Sequence, residues 1–183
     1  MKVKVISYSL TGNNEALASS IANEFSAEHI KITESKPRTI ITIILDILFN
    51  RTPQVSPRAD IIVDKVKDND LVLFIGPVWM GQIATPLRAY LEHLKTKFNQ
   101  YAFISISGGA AGPNPKLADE LKKRVGKKPV ALINLYIADL LPSDPKPTMK
   151  DTSAYHLKDS DVKNLTNTAV KTLRKTMIKK ENS

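Results

Sequence analysis

Ser9-Leu10-Thr11-Gly12-Asn13-Asn14 is a run of small, mostly polar residues set between an apolar stretch, Val3 to Tyr8, and the helix-like Glu15-Ala16-Leu17-Ala18. A strand that ends in such a loop and runs on into a helix presents unpaired backbone N–H groups and the positive end of the helix dipole, which together favour a phosphate. Ser9, Thr11, Asn13 and Asn14 add side-chain donors, and Gly12 lets the backbone turn tightly toward a ligand. Ordinary helix capping by Ser or Asn uses the same residue types. The loop lacks the Gly-Lys-Ser/Thr of a nucleotide-triphosphate loop and the three spaced glycines of a dinucleotide fingerprint. A cup of neutral donors without lysine suits a phosphate monoester.

Two further loops have unusual chemistry. In Gly76-Pro77-Val78-Trp79-Met80-Gly81-Gln82-Ile83-Ala84-Thr85-Pro86, Trp79 stands between a strand end and a glycine. There it can stack on a planar ring while the backbone of Met80 to Gln82 meets the ring's polar edge. The alternative is that Trp79 and Met80 pack under their own loop. Ser107-Gly108-Gly109-Ala110-Ala111-Gly112 lacks bulk, so that a flat ligand could lie against its backbone; a flexible turn has the same composition. His29, His93 and His156 are scattered and form neither a triad nor a metal-ligand spacing, so no catalytic residue and no metal site is assigned.

The elements that must position these loops alternate along the chain. Strands are expected at 2–8, about 28–33, 70–76, 101–107 and 130–137, and helices at 13–27, from Pro86 onward, at 116–125 and at about 158–180. Asp70-Leu71-Val72-Leu73-Phe74-Ile75 is nearly continuous in apolar character, as in a strand covered on both faces. Five such strands separated by helices imply an α/β fold with a parallel sheet between two helical layers, in one domain spanning 1–183. Ligands of such sheets bind beyond the carboxyl ends of the strands, where the winding direction switches. Two segments stand apart. Residues 39–49, Thr39-Ile40-Ile41-Thr42-Ile43-Ile44-Leu45-Asp46-Ile47-Leu48-Phe49, are expected to form a buried core helix or strand. A cover for a cofactor, a dimer contact or a shallow membrane contact are the alternatives. Residues 138–157, rich in Pro and Asp, are expected to form a long loop.

Composition narrows the setting. The 183 residues are 42% hydrophobic and 25% charged, an ordinary globular balance. No cysteine is present, which excludes disulfides, thiolate nucleophiles and Cys-ligated clusters and fits a cytoplasmic protein. No apolar run approaches the roughly 20 residues of a membrane span. The formal net charge is +9, with excess in Lys122-Lys123-Arg124, Lys127-Lys128 and the tail. No basic groove interleaved with aromatics accompanies it, so nucleic acid is not expected as a partner.

The first loop resembles the FMN-phosphate loop of flavodoxins, usually Ser/Thr-x-Thr-Gly-x-Thr. The stretch Gly76 to Leu91, with Pro77, Trp79, Gly81, Pro86, Leu87 and Arg88, is similar to the isoalloxazine loop and following helix of flavodoxin-like FMN-dependent NAD(P)H oxidoreductases. The resemblance covers about residues 1–137. It implies a three-layer flavodoxin-like sandwich with a five-stranded parallel sheet in the order 2-1-3-4-5, binding one FMN noncovalently. By the same resemblance, Ser9, Thr11, Gly12, Asn13 and Asn14 would hold the phosphate. Pro77, Val78, Trp79, Met80 and Gly81 would line the ring, and Ser107, Gly108 and Gly109 would flank its other side. The implied activity is electron passage between NAD(P)H and a quinone or other small acceptor. The alternative is a flavodoxin-type carrier docking an acidic redox protein, and a homodimer is compatible with either. Asn14 stands where the family usually has Thr, and electron-shuttling flavodoxins are typically acidic, unlike this chain.

Overall fold

The apolar runs become strands whose alternate side chains feed two separate cores. The structure, a computed structural model, describes residues 2–36, 38–51, 53–60, 62–67, 69–109 and 115–181. Its long strands are β1 (Val3–Tyr8), β2 (Glu28–Glu34), β4 (Leu71–Ile75), β7 (Gln100–Ser107) and β8 (Ala131–Tyr136), with a two-residue β3 (Val55–Ser56) between β2 and β4 in sequence. Successive residues of a strand point to opposite faces. Accordingly Ile6, Phe74 and Phe103 join one core, and Val5, Leu73 and Ile104 join the other. The first core is closed by the short α3 (Val63–Lys67), by α4 (Thr85–Leu94) and by α5 (Leu117–Val125), through Val66, Leu87, Leu91 and Leu121. The second is closed by α1 (Asn13–Glu24) and the long α7 (Asp159–Glu181), through Leu17, Ile21, Ala169 and Leu173. Covering both faces buries β1 and β4 along their whole length and allows β4 to be apolar throughout.

The sheet order is β3-β2-β1-β4-β7-β8. The five long strands are parallel and stand in the expected order, but the sheet has six strands, not five. β3 pairs antiparallel with the end of β2, Thr33 opposite Ser56 and Glu34 opposite Val55. Two residues between Gln54 and Pro57 have no periodicity of their own, and the pairing alone makes them a strand. The chain leaves β1 toward β2 on one side and later returns to place β4 on the other, so the winding switches between β1 and β4. Ser7 pairs with Ile75 and Ile75 with Ile104. β1 and β4 therefore end within one residue of each other and β7 runs three residues further, so their following loops meet at one edge of the sheet.

Other expectations are corrected. The Trp79 segment is not a plain loop but a hairpin of β5 (Val78–Trp79) and β6 (Gln82–Ile83). Its central Met80 and Gly81 both have positive φ, 48° and 77°, the backbone of a type I′ turn, whose twist matches a hairpin. Within 138–157, a 3-10 turn at Ile137–Leu140 and a short helix, α6 (Met149–Ala154), interrupt the loop. Thr148 caps α6 reciprocally with Asp151. Segment 39–49 is not a core element. It forms α2 (Ile40–Leu48), of which Ile47 is buried while Ile40 and Ile41 are 76% and 69% exposed. Of the third loop, Ala110, Ala111 and Gly112 lie outside the described residues.

His29 on β2 is half-buried, within hydrogen-bond distance of Ser7 Oγ at 2.7 Å and near Ser19 Oγ at 3.4 Å. Burial, and then the nearby Lys31, hold its pKa below the ordinary imidazole value. Below about pH 6.5 the unfolded chain therefore binds a proton that the folded chain resists, so stability falls as pH drops through that window. His29→Gln is expected to flatten the decline of Tm between about pH 7.5 and 5.5. A variant with the wild-type slope would show that His29 does not carry it.

Candidate functional site

At the switch point, the three loops enclose a cavity of about 710 Å³, within the roughly 300–1,000 Å³ usual for cofactor and small-molecule sites. Thr11, Asn13, Asn14, Pro77, Val78, Trp79, Met80, Gly81, Ser107, Gly108 and Gly109 all line it. Ser9 and Gly12, expected in the same site, are not among its lining residues. Additional walls come from Ile40, Ile43 and Ile44 of α2, from Asn134 and Tyr136 of β8, and from Met149, Thr152 and Ser153 of α6. Among the described residues, no charged side chain lines this cavity in a chain of net charge +9. An anion held here would rely on neutral donors and a helix end.

The first loop is built for that. Gly12 occupies the N-cap of α1 with φ 90°, and no side chain caps the helix. The first-turn N–H groups consequently have no partner within the helix. A Cβ on Gly12 would meet nothing within 4 Å, so its glycine is required by the positive φ, not by crowding. Ser9 Oγ is buried and has no hydrogen-bond partner. An orphaned hydroxyl beside an uncapped twelve-residue helix fits the phosphate of FMN. The asparagines act differently from the donors expected of them. Asn14 Nδ2 donates to the Ile106 carbonyl and its Oδ1 accepts from the Ile106 N–H, both at 2.9 Å. Asn13 does the same across a wider gap, donating to the Tyr155 carbonyl at 2.8 Å and accepting from the Leu157 N–H at 3.0 Å. Their side chains tie the loop to β7 and to the segment before α7, while their backbone N–H groups remain at the helix end.

The hairpin is held from behind by groups that sequence reasoning left out of the site. Arg88, fully buried on α4, donates from Nε to the Ile83 carbonyl at 3.0 Å and from Nη2 to Gln82 Oε1 at 2.8 Å. Glu120 accepts from the Ile83 N–H at 2.9 Å, and also from Arg124 Nε at 2.9 Å. Burial, with Arg124 nearby, lowers the Arg88 pKa from its ordinary value. Arg88 appeared in the sequence only as part of a resemblance; its spacing from Gln82 and Ile83 carries no signal without the hairpin.

Trp79 itself meets a charged group. The Arg38 guanidinium carbon lies 5.6 Å from the centre of its ring, and Tyr8 packs edge-on against it at 5.8 Å. Arg38 Nε reaches both oxygens of Glu34, at 2.8 and 2.7 Å, and Nη1 reaches Asp46 Oδ2 at 2.7 Å. Burial would lower the Arg38 pKa, but the bonds to Glu34 and Asp46 outweigh it and the net shift is upward. The Tyr8 phenol, buried and donating to Glu34 at 2.6 Å, is pushed well above its usual range.

The glycines of the third loop answer to protein neighbours. A Cβ on Gly108 would lie 2.7 Å from Thr152 Oγ1, and one on Gly109 would lie 2.5 Å from the Tyr136 Cβ. Gly109 also has φ 79°. Thr152 and Tyr136 occupy the space on the side of the missing side chains, while both glycines also line the cavity.

Comparison with known proteins agrees with this fold. Residues 1–114 match the family model described as NADPH-dependent FMN reductase. No curated protein sequence matches the chain. A flavoprotein of Lactobacillus acidophilus, solved in complex with FMN, is similar in fold with a TM-score of 0.59 at 21% identity, over 73% of this chain and 92% of that one. A Bacteroides eggerthii protein described as a flavoprotein has a TM-score of 0.59 at 18% identity, over 74% and 87% of the two chains.

Asn14→Ala is expected to leave the buried N–H and carbonyl of Ile106 unpaired and to destabilise the fold by about 2–4 kcal/mol in chemical denaturation. Asn14→Asp keeps the acceptor but sets a carboxylate against the carbonyl, so it should not restore the loss. Gly109→Ala, through both its φ and its clash with Tyr136, is expected to cost about 2 kcal/mol or more by the same measurement. Wild-type stability in either alanine variant would refute the corresponding contact.

Proposed function

The chain belongs to the NADPH-dependent FMN reductase family, and from that premise we propose that it passes electrons between NAD(P)H and a quinone or other small acceptor through bound FMN. It is an FMN-binding flavoprotein with a flavodoxin-like α/β fold. The observation that carries the proposal is the uncharged cavity at the switch point, walled by all three expected loops. Ser9 Oγ, Thr11 and the backbone N–H groups of Gly12, Asn13 and Asn14 would hold the phosphate. Pro77, Val78, Trp79, Met80 and Gly81 would line one side of the ring, and Ser107, Gly108 and Gly109 the other.

Bound FMN supplies the electron-transfer chemistry, and the chain's residues bind it, orient it and shape access to it. Trp79 offers an aromatic face, and the hairpin that carries it is fixed by Arg88 and Glu120. Ser105 Oγ donates to Asn134 Oδ1 at 3.0 Å on the cavity wall, a neutral polar pair in otherwise apolar surroundings. Ile40, Ile43, Ile44 and Met149 restrict water on the side away from the sheet. No side chain is required as a nucleophile. NAD(P)H and the acceptor would use the flavin cleft itself in turn, in a cytoplasmic setting.

A second reading, a flavodoxin-type carrier, is favoured by the formal charge of +9, which would steer an acidic redox protein with strong salt dependence. The two readings part in steady state. The purified chain is expected to carry or take up FMN, shown by its visible spectrum and by quenching of flavin fluorescence on titration. It is also expected to oxidise NAD(P)H with a quinone without any partner protein. Absence of flavin binding would sink both readings, whereas binding without turnover would leave the carrier.

A further inference from the structure

We propose that Arg38 is the positioning residue of the site: a single guanidinium that holds the α2 wall and the Trp79 ring in place together. Its functional consequence rests on the reading above, in which Trp79 lies against a bound ring; its structural content does not.

The apolar character of α2 is inverted. A surface helix normally turns its apolar stripe inward and its polar residues to water. Here Ile40, Ile41, Ile44, Leu45 and Leu48 are exposed, with Ile47 the buried residue of the helix. The carboxylate of Asp46 faces inward, its side chain 16% exposed, against an Arg38 side chain that is 5% exposed. With so little apolar burial of its own, α2 depends on the ion pair to stay where Ile40, Ile43 and Ile44 can wall the cavity. Arg38 is in turn fixed by the Glu34 carboxylate at the end of β2, which Tyr8 also engages from β1. The remaining face of the guanidinium meets Trp79 of the hairpin at 5.6 Å. One side chain therefore touches α2, β2 and the hairpin. Planar, five-donor guanidinium chemistry permits this, and a lysine ammonium, a compact point charge, cannot reproduce it. Removing one partner of a buried pair has a large effect because the others are left uncompensated. The aromatic contact adds a directional preference for the Trp79 ring.

Trp79 is the one tryptophan in the chain, so its fluorescence reports this position without any flavin. Two variants of the full chain test the proposal, first flavin-free and then with added FMN. Asp46→Asn keeps the shape of the side chain and removes its charge. It is expected to speed amide hydrogen exchange in residues 40–48 by about tenfold or more, with exchange in β1 and β4 unchanged. Arg38→Lys keeps the charge and loses the fork. It is expected to increase acrylamide quenching of Trp79 fluorescence by about twofold and to shift its emission. With FMN added, both variants should release it several-fold faster than wild type. Wild-type exchange in residues 40–48 of Asp46→Asn would overturn the α2 role, and wild-type Trp79 quenching in Arg38→Lys would overturn the hairpin role. Should Arg38→Lys fail to fold, Trp79 quenching in Asp46→Asn, expected to rise as α2 loosens, decides in its place. Failure of wild type to bind FMN would sink the functional reading while leaving the flavin-free measurements decisive for Arg38.

Discussion

The site depends on one two-point bond, the amide of Asn14 paired with the main chain of Ile106. In a parallel ladder, alternate residues of a strand turn their N–H and carbonyl to opposite neighbours. Ile104 faces β4, where its carbonyl accepts from Gly76, and Ile106 faces the same side two residues on. There β4 has already ended and the chain has turned away through Pro77, which leaves the groups of Ile106 without a strand. Asn14 stands in for the missing strand with one donor and one acceptor. Buried main-chain groups must be satisfied, so the first loop is fixed to the carboxyl end of β7 by necessity. The cavity is the space left between β4's departure and that tie.

The hairpin, α2 and the first loop follow a common pattern, each fixed by a charged or amide side chain, the charged ones from outside the cavity. Arg88 and Glu120 grip the hairpin by its Ile83 main chain, and Arg38 reaches Trp79 and α2. Asn13 ties the first loop to residues 155–157. The charged groups thus lie around the cavity, and its lining stays neutral. A hairpin that turns through Met80 at positive φ stores about 1 kcal/mol of strain in the backbone of a residue whose side chain is exposed, and such strain persists where the surrounding bonds determine the backbone.

Much of the frame was legible because its signals are local. The unbroken apolar run of β4 announced a strand covered on both faces, and Pro86 in the first turn of α4 marked a helix start. The failures have a different origin. β3 is two residues long and exists through its pairing with β2. α2 was expected in the core because isoleucines usually go there, but an ion pair beneath it decided otherwise. Gly108 and Gly109 line the cavity, but Thr152 and Tyr136, which fill the places of their side chains, left no mark on the loop's own sequence. Each of these outcomes depends on a residue far along the chain.

By itself, the sequence determined the alternation of strands and helices, the three loops that could hold a phosphate and a ring, and the lack of thiol chemistry. Those are properties of short windows, set by periodicity, turn residues and composition. The tertiary structure alone decided what each polar side chain is for. Whether an asparagine offers its amide to a ligand or to a strand end depends on which main-chain groups the fold leaves unpaired. Asn14 and Ile106 are 92 residues apart, a separation across which no local pattern speaks.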